Sequence, residues 1–476
     1  MKTIRVLTLS VCTAVLLLPG CGSERRWSTD SHEAVQWVET GVRQWQRFYY
    51  VDALKSLDSA IAADSMFAIA WGRAGLVHLY AGNLPDARSA IARASRLAVT
   101  ATPREQQFIR LWSYRINEKR DLEAALADSL LAMYPEETEL YLLRGQCYEF
   151  EGNYEAAVRL YSQGVKQDTG FALGIMSLGY AYSVLGDQKM AVEYMQRYIR
   201  MAPQEPDPLA SYADLLMRAG QYDEALEQYQ KALQVKPDYW YAVREIGTVY
   251  LVKGRLRDAE RQFEEAVKLL PATMQSEAGL MRLRGILDLQ RGRYEDAIAL
   301  FQAVHAIDST YVGTTGSLTV ALSKLKRFDE AWALADSVRA EMDRRKLTGR
   351  QLVQGYHLLR ARILLEEGRV DEAERECREA MEASTPLTRG SVYIQLARVY
   401  RARKAWEPAI DAIENALSLN PNSPEALQTL ALVFDDRGDR QMAAEIGDRL
   451  FQLWSAADSD FVPLLELRRA LGRKPV

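Results

Sequence analysis

A chain of 476 residues with 48% hydrophobic and 26% charged side chains, and only 15 prolines, has the composition of a folded helical protein and excludes a mainly disordered one. Its 60 basic and 64 acidic residues leave a net charge of −4, which argues against a polyanion-binding surface as a whole, so no nucleic acid partner is expected. Four histidines and four cysteines, none at metal-ligand spacing, give no basis for a metal or cofactor.

At the amino end, Lys2 and Arg5 precede an apolar run from Val6 to Leu18, too short for a comfortable membrane span, and residues 1–20 read as an export signal. The run ends in Leu18-Pro19-Gly20-Cys21, which resembles the lipobox of bacterial lipoproteins, where a small residue precedes the lipidated cysteine. Pro19 stands where that motif usually has a small or aliphatic residue. The resemblance implies a palmitate-bearing anchor on Cys21, a membrane as one partner, and a polar tether over residues 21–33. An ordinary signal peptide with an incidental cysteine is the alternative. Gly22 and Ser23 follow without the aspartate that in enteric bacteria resembles an inner-membrane retention signal, so the expected place is the outer membrane, facing the periplasm. Loss of Lys2 and Arg5 with the leader leaves 58 basic against 64 acidic residues.

Residues 34–455 are repetitive. Stretches starting at 138, 172, 206 and 240 superimpose at a spacing of 34, aligning Gly145, Gly179, Ala213 and Gly247, then Tyr148, Tyr182, Leu216 and Tyr250, then Ala157, Ala191, Ala225 and Ala259. In each, apolar and small residues at positions 4, 7, 8 and 11 make one buried helical face. Gly186-Asp187, Gly220-Gln221 and Gly254-Arg255 supply a turn, a second helix carries alanine where two helices cross closely, and Pro203, Pro237 and Pro271 end it. This pattern resembles the tetratricopeptide repeat, a 34-residue helix-turn-helix unit. Further units start near 34, 68, 278, 312, 354, 390 and 424, with a degenerate one near 104 anchored by Leu122, Ala125 and Pro135. The fold expected is an all-α, right-handed solenoid of about twelve units, interrupted by insertions at 272–277 and around 340–353. A capping helix and tail over 456–476 should cover the last unit, with Asp458 and Asp460 capping the helix and Phe461, Leu464, Leu465 and Leu471 facing the repeat.

The resemblance also implies where partners bind. In this family positions 2, 5, 9 and 12 of the first helix line a concave groove. Here they include Met176, Tyr180, Tyr241, Arg244, Arg282, Arg362, Arg398 and Arg401. Guanidinium groups pair with carboxylates in a bidentate fork, so such a row suits acidic ligands; the alternative is that these arginines pair with their neighbours. The lysine and asparagine set of the family's chaperone-tail clamp is absent, as is the asparagine ladder of sugar-transferase arrays. A basic run, Arg344-Arg345-Lys346 with Arg350, reads as the solvated face of a lengthened second helix, or else as a docking knob for an acidic partner or lipid headgroup.

No catalytic motif is present. The chain has no phosphate-binding loop, no Gly-x-Ser-x-Gly elbow and no Cys-x-x-Cys, and the repeats leave no stretch for a separate catalytic domain. Cys147 and Cys377 lie more than six repeats apart and are expected to be buried thiols rather than a disulfide. The function expected is a non-catalytic protein-interaction scaffold or adaptor of the bacterial cell envelope. The alternative is an accessory lipoprotein that binds glycan, or that assists polysaccharide, peptidoglycan or outer-membrane protein assembly or secretion.

Overall fold

The computed structural model describes residues 27–270, 277–307, 314–345 and 349–473. The export signal, Cys21, residues 272–276 and Lys346 lie outside the described residues. Six hairpins open the chain: α1 (His32–Trp45) with α2 (Tyr50–Ala63), α3 (Ala68–Tyr80) with α4 (Leu84–Leu97), α5 (Pro103–Ile116) with α6 (Arg120–Met133), α7 (Thr138–Phe150) with α8 (Tyr154–Gln167), α9 (Ala172–Val184) with α10 (Gln188–Met201), and α11 (Asp207–Arg218) with α12 (Tyr222–Val235). Six more follow: α13 (Trp240–Val252) with α14 (Leu256–Leu269), α15 (Glu277–Gln290) with α16 (Tyr294–Ile307), α17 (Thr315–Lys324) with α18 (Phe328–Arg345), α19 (Arg350–Glu366) with α20 (Val370–Ala383), α21 (Arg389–Ala402) with α22 (Trp406–Leu419), and α23 (Pro424–Arg437) with α24 (Arg440–Leu453). A last helix, α25 (Val462–Ala470), ends the described chain. Among the described residues no helix is long and apolar enough to cross a membrane.

Each hairpin turns through one residue in the left-handed region. Eight are glycines, Gly82, Gly152, Gly186, Gly220, Gly254, Gly292, Gly368 and Gly438, and the other four hairpins use Phe48, Glu118, Lys326 and Lys404 at the same place. Five residues after every such turn but the third stands the small column of the second helix. Ala53, Ala87, Ala157, Ala191, Ala225, Ala259, Ala297, Ala331, Ala373, Ala409 and Ala443 are all fully buried there. Opposite them sit the small residues of the first helix. A Cβ on Gly145 would run into the Tyr161 ring, and one on Gly247 would meet Phe263 at 2.6 Å, so the absence of a side chain is what lets the two helices close.

The degenerate third repeat departs from the sequence reading. Its turn at Glu118 puts Glu123, not Ala125, in the alanine column, where Glu123 is fully buried and bonded to Arg120 at 2.9 Å. Leu122 is half exposed and Ala127 and Leu130 are the buried residues. A start near 104 fits this turn, but the anchors Leu122 and Ala125 miss the column residue itself, because no glycine marks the turn.

The longer step between the ninth and tenth turns is taken up by helix rather than loop. Helices α18 and α19 run 18 and 17 residues, against 13 or 14 for most others. The basic run lies at this joint. Arg344 is held by Glu341 at 2.6 Å, and Arg350 donates to the carbonyls of Glu382 and Ser384 at 3.0 and 2.9 Å. Those two arginines are engaged within the chain.

The chain divides into two compact units. One holds residues up to 118, apart from 46–48, and the other holds 119 onward, so the division passes through the turn of the third repeat. Within the second unit the first helices approach one another along the stack more closely than the second helices do, which places the first helices on the inside of the curve. That unit also turns back on itself. The Tyr222 hydroxyl donates to the Asn422 carbonyl at 3.3 Å and the Asn422 amide donates to the Gly220 carbonyl at 3.3 Å, 200 residues apart along the chain.

The carboxyl end is more than a cover for the last repeat. Leu471 and Leu467 do pack on it, and a Cβ on Gly447 would strike Leu471. However, Phe461 sets the start of α25 without a side-chain cap, and Asp458 serves another helix. Its Oδ2 accepts the Arg257 backbone N–H at 2.8 Å, the bond a capping residue makes, at the start of α14, whose own cap position, Arg255, makes none. Leu256, Phe263 and Leu287 share one buried cluster with Trp454, Phe461, Leu464 and Leu467.

Candidate interaction surface

The sequence-predicted groove residues from the fifth repeat onward lie on first helices of the second unit, and the structure gathers most of them into two clusters. Tyr180 on α9 and Tyr241 on α13 both donate to Asp214 Oδ2 on α11, each at 2.8 Å, while Tyr229 on α12 donates to Oδ1 at 2.5 Å. One turn-pair earlier on α11, Asp207 accepts from Tyr198 at 2.7 Å, from Tyr239 at 3.0 Å and from Ser211 at 3.4 Å. Two carboxylates thus tie the fifth, sixth and seventh repeats together. Burial pushes the Asp207 carboxyl up to about 7 despite the hydroxyls that favour its charge, and it raises Asp214 as well. Burial likewise raises Tyr180, Tyr229, Tyr239 and Tyr241, whose donated protons are held against the carboxylates.

Two of the expected groove residues therefore have their hydroxyls engaged within the chain. The hydroxyls of Tyr180 and Tyr241 serve Asp214, and Arg218 and Arg244 lie over their rings at 5.3 and 4.8 Å. Arg244 itself pairs with Glu245 at 2.6 Å. Met176, half-buried, precedes Tyr180 by one turn on the same face. Neither Asp207 nor Asp214 was singled out from sequence; the signal available was the repeat spacing, since Tyr180 and Asp214 stand 34 residues apart in the same column of neighbouring repeats.

The second cluster spans the tenth to twelfth repeats. Arg398 on α21 pairs with Glu425 at 2.8 Å, and Arg401 pairs with Asp436 at 2.6 Å. Arg362 on α19 reaches back to the Gly316 carbonyl at 3.5 Å, a long contact for so strong a donor. Burial, with Arg398 beside it, lowers the Arg362 guanidinium, and Arg398 holds the Glu425 carboxyl below its usual range. One turn before Arg398, Gln395 is 3% exposed and neither of its amide atoms has a hydrogen-bond partner. Arg282, on α15, joins neither cluster, and its Nε is buried without a partner.

The remaining titratable groups have local duties. His357 bonds Glu376 at 2.7 Å and His305 bonds Thr314 at 3.0 Å. Cys147 and Cys377 are buried thiols, and burial pushes Cys377 up to about 12. Among the described residues no group of three or more histidine, cysteine or carboxylate side chains could hold a metal ion.

Family models described as Tetratricopeptide repeat match residues 50–101, 118–170 and 175–235, and a model described as TT21 fifth ARM repeats domain matches 210–314. The chain is a tetratricopeptide repeat protein. As such it is a scaffold for protein–protein interaction, and each matched model is a helical-repeat model rather than a catalytic one. This repeat protein is 27% identical over 289 residues to Cellulose synthase operon protein C of Xanthomonas axonopodis pv. citri, covering 57% of the chain and 18% of that protein. It is 26% identical over 168 residues to Tetratricopeptide repeat protein 13 of Homo sapiens, covering 33% and 19%. The chain therefore matches less than a fifth of the length of these relatives. Among solved structures, yeast Tom70 aligns over 92% of this chain and 95% of its own, at 13% identity and a TM-score of 0.38.

Proposed function

We propose that this repeat protein is an adaptor of the bacterial cell envelope, held at a membrane, the outer one, by lipid on Cys21, and that the inner arginines of its tenth and eleventh repeats grip an acidic stretch of a protein partner. The observation that carries the binding part is how loosely Arg362 is held. Its guanidinium makes one long hydrogen bond, with Glu425 and Glu366 acting on its charge from farther off, Arg398 and Arg401 each have one carboxylate, and neither amide atom of Gln395 has a partner. A carboxylate entering there replaces water on groups that the fold leaves under-satisfied, which is where charged hydrogen bonds gain most. A lipid at one end confines the partner to the same surface and lets weak contacts at several repeats sum.

The test is anisotropy of a fluorescent hexaglutamate peptide with the folded protein. Arg362→Glu and Arg398→Glu should each weaken binding by about tenfold or more, since each replaces an attraction with a repulsion. Equal affinity of wild type and both variants sinks the reading. For the anchor, palmitate label should reach the wild-type chain and be lost in Cys21→Ser, which then leaves the membrane pellet. A second reading, an accessory to polysaccharide assembly, draws support from the likeness to a protein named for a cellulose synthase operon. It expects retention on a β-glucan column, abolished by the same arginine changes while hexaglutamate fails to bind.

A further inference from the structure

We infer that residues 454–473 are a clasp that shuts the turn made by the second unit, and that its release admits a partner to the inner face. The inference rests on the adaptor reading for what enters, but the clasp itself stands on contacts between residues about 200 apart. The Trp454 indole N–H donates to the Val252 carbonyl at 3.0 Å. The Asp458 N–H donates to the Gly254 carbonyl at 2.9 Å, while its carboxylate caps α14 through the Arg257 N–H at 2.8 Å. Farther along, Asp460 lies 3.7 Å from Arg291 and Glu466 lies 3.5 Å from Lys324, so the segment touches the seventh, eighth and ninth repeats in turn.

Two features show that the receiving edge is shaped for this segment. Gly254 has φ +71, and a Cβ there would meet Phe461 at 2.6 Å and Ala457 at 2.7 Å, so glycine serves both the turn and the close approach. Helix α14 lacks a side-chain cap of its own and takes one from Asp458 when the clasp is shut. The apolar part, Phe461 and Leu464 against Leu256 and Leu287, gives the closed state its affinity. The polar part is small enough to be exchanged. A cap bond and one exposed ion pair are each modest, and their loss shifts the balance without unfolding the repeats.

Closure matters because of what it encloses. Arg244, Arg362 and Tyr180 stand on first helices, on the inside of the curve, and part of each side chain meets solvent.

The test uses the full chain carrying Met176→Cys, a reporter on the inner face, with the rate of modification by a 5 kDa polyethylene glycol maleimide read site by site by mass spectrometry. Asp458→Ala with Lys324→Glu should raise the rate about five- to tenfold and speed backbone exchange over 252–258 and 454–470. Adding Glu466→Lys to Lys324→Glu should bring the rate back toward wild type, which a merely misfolded variant would not do. The clasp is overturned if exchange at 454–470 rises while the reporter rate stays unchanged, since the segment is then only a cover, or if the charge swap rescues nothing. Hexaglutamate binding is measured in parallel. Opening of the reporter without any peptide binding upholds the clasp and removes the adaptor reading.

Discussion

At the scale of single residues, the same type does different work at different places. Gly145 is needed for space, since its missing Cβ is where the Tyr161 ring lies, whereas Gly82 has φ +80 with nothing within 4 Å and is needed only for its backbone. Gly145→Ala should cost about 1–3 kcal/mol through overpacking, and Gly82→Ala about 1 kcal/mol through strain, as read from local hydrogen exchange. Asp207 gives a pH prediction. Its folded carboxyl is raised from 3.8 to about 7, so the native state binds the proton more tightly, and the stability this lends is full below pH 4 and lost as pH rises through 7. Asp207→Asn should therefore leave stability little changed at pH 4 and raise it relative to wild type at pH 8, by up to about 4 kcal/mol. A difference that does not grow with pH between 4 and 8 refutes the assignment. Neither aspartate stood out from sequence, because each is a polar residue at a helix position that otherwise faces a groove. The tyrosines that bury them come from three different repeats.

At the scale of helices and turns, the left-handed residue is the punctuation of the fold. Where it is glycine, the column residue could be read; where it is Glu118, the anchors Leu122 and Ala125 missed that Glu123 fills an alanine's place. The four non-glycine turns are also the strained ones. Lys326→Gly and Lys404→Gly should each stabilise their hairpins by up to about 1 kcal/mol, measured as slower exchange in the flanking helices. Ala225→Leu should do the opposite, costing about 1–3 kcal/mol, because the crossing of α11 and α12 leaves that position no accessible surface. The lengthened α18 and α19 show the same logic: an insertion in a helical repeat is cheapest as an added helical turn, since its backbone polar groups are satisfied within the helix.

At the scale of the whole molecule, a repeat array would have each hairpin touch only its neighbours, and stability would be a sum along the chain. The second unit departs from this. Contacts between Gly220 and Asn422, and between Gly254 and Asp458, join parts of the chain five or more hairpins apart, so part of its cooperativity is non-local. Removal of residues 454–473 uncovers Leu256 and Leu287 and takes away the buried Phe461, Leu464 and Leu467. Such a truncation should lower the melting temperature and raise binding of an apolar dye, each large side chain being worth about 1.5–3 kcal/mol. An unchanged melt would show that the clasp carries no stability.

The amino-acid sequence by itself determined the repeat, its number and the places where its period lengthens, because these follow from local rules: helical spacing of small residues, a turn residue free to go left-handed, and a break after the second helix. It also pointed to the inner positions on which Arg362, Arg398 and Arg401 stand. Only the tertiary structure decided what those positions do, since Asp214 claims Tyr180 and Tyr241, Glu425 and Asp436 claim two arginines, and Gln395 is left with nothing. The small rotation from one hairpin to the next is a property of packed pairs, not of any one segment. Its accumulation is what brings Asp458 to Gly254, and no periodicity along the chain encodes where that turn closes.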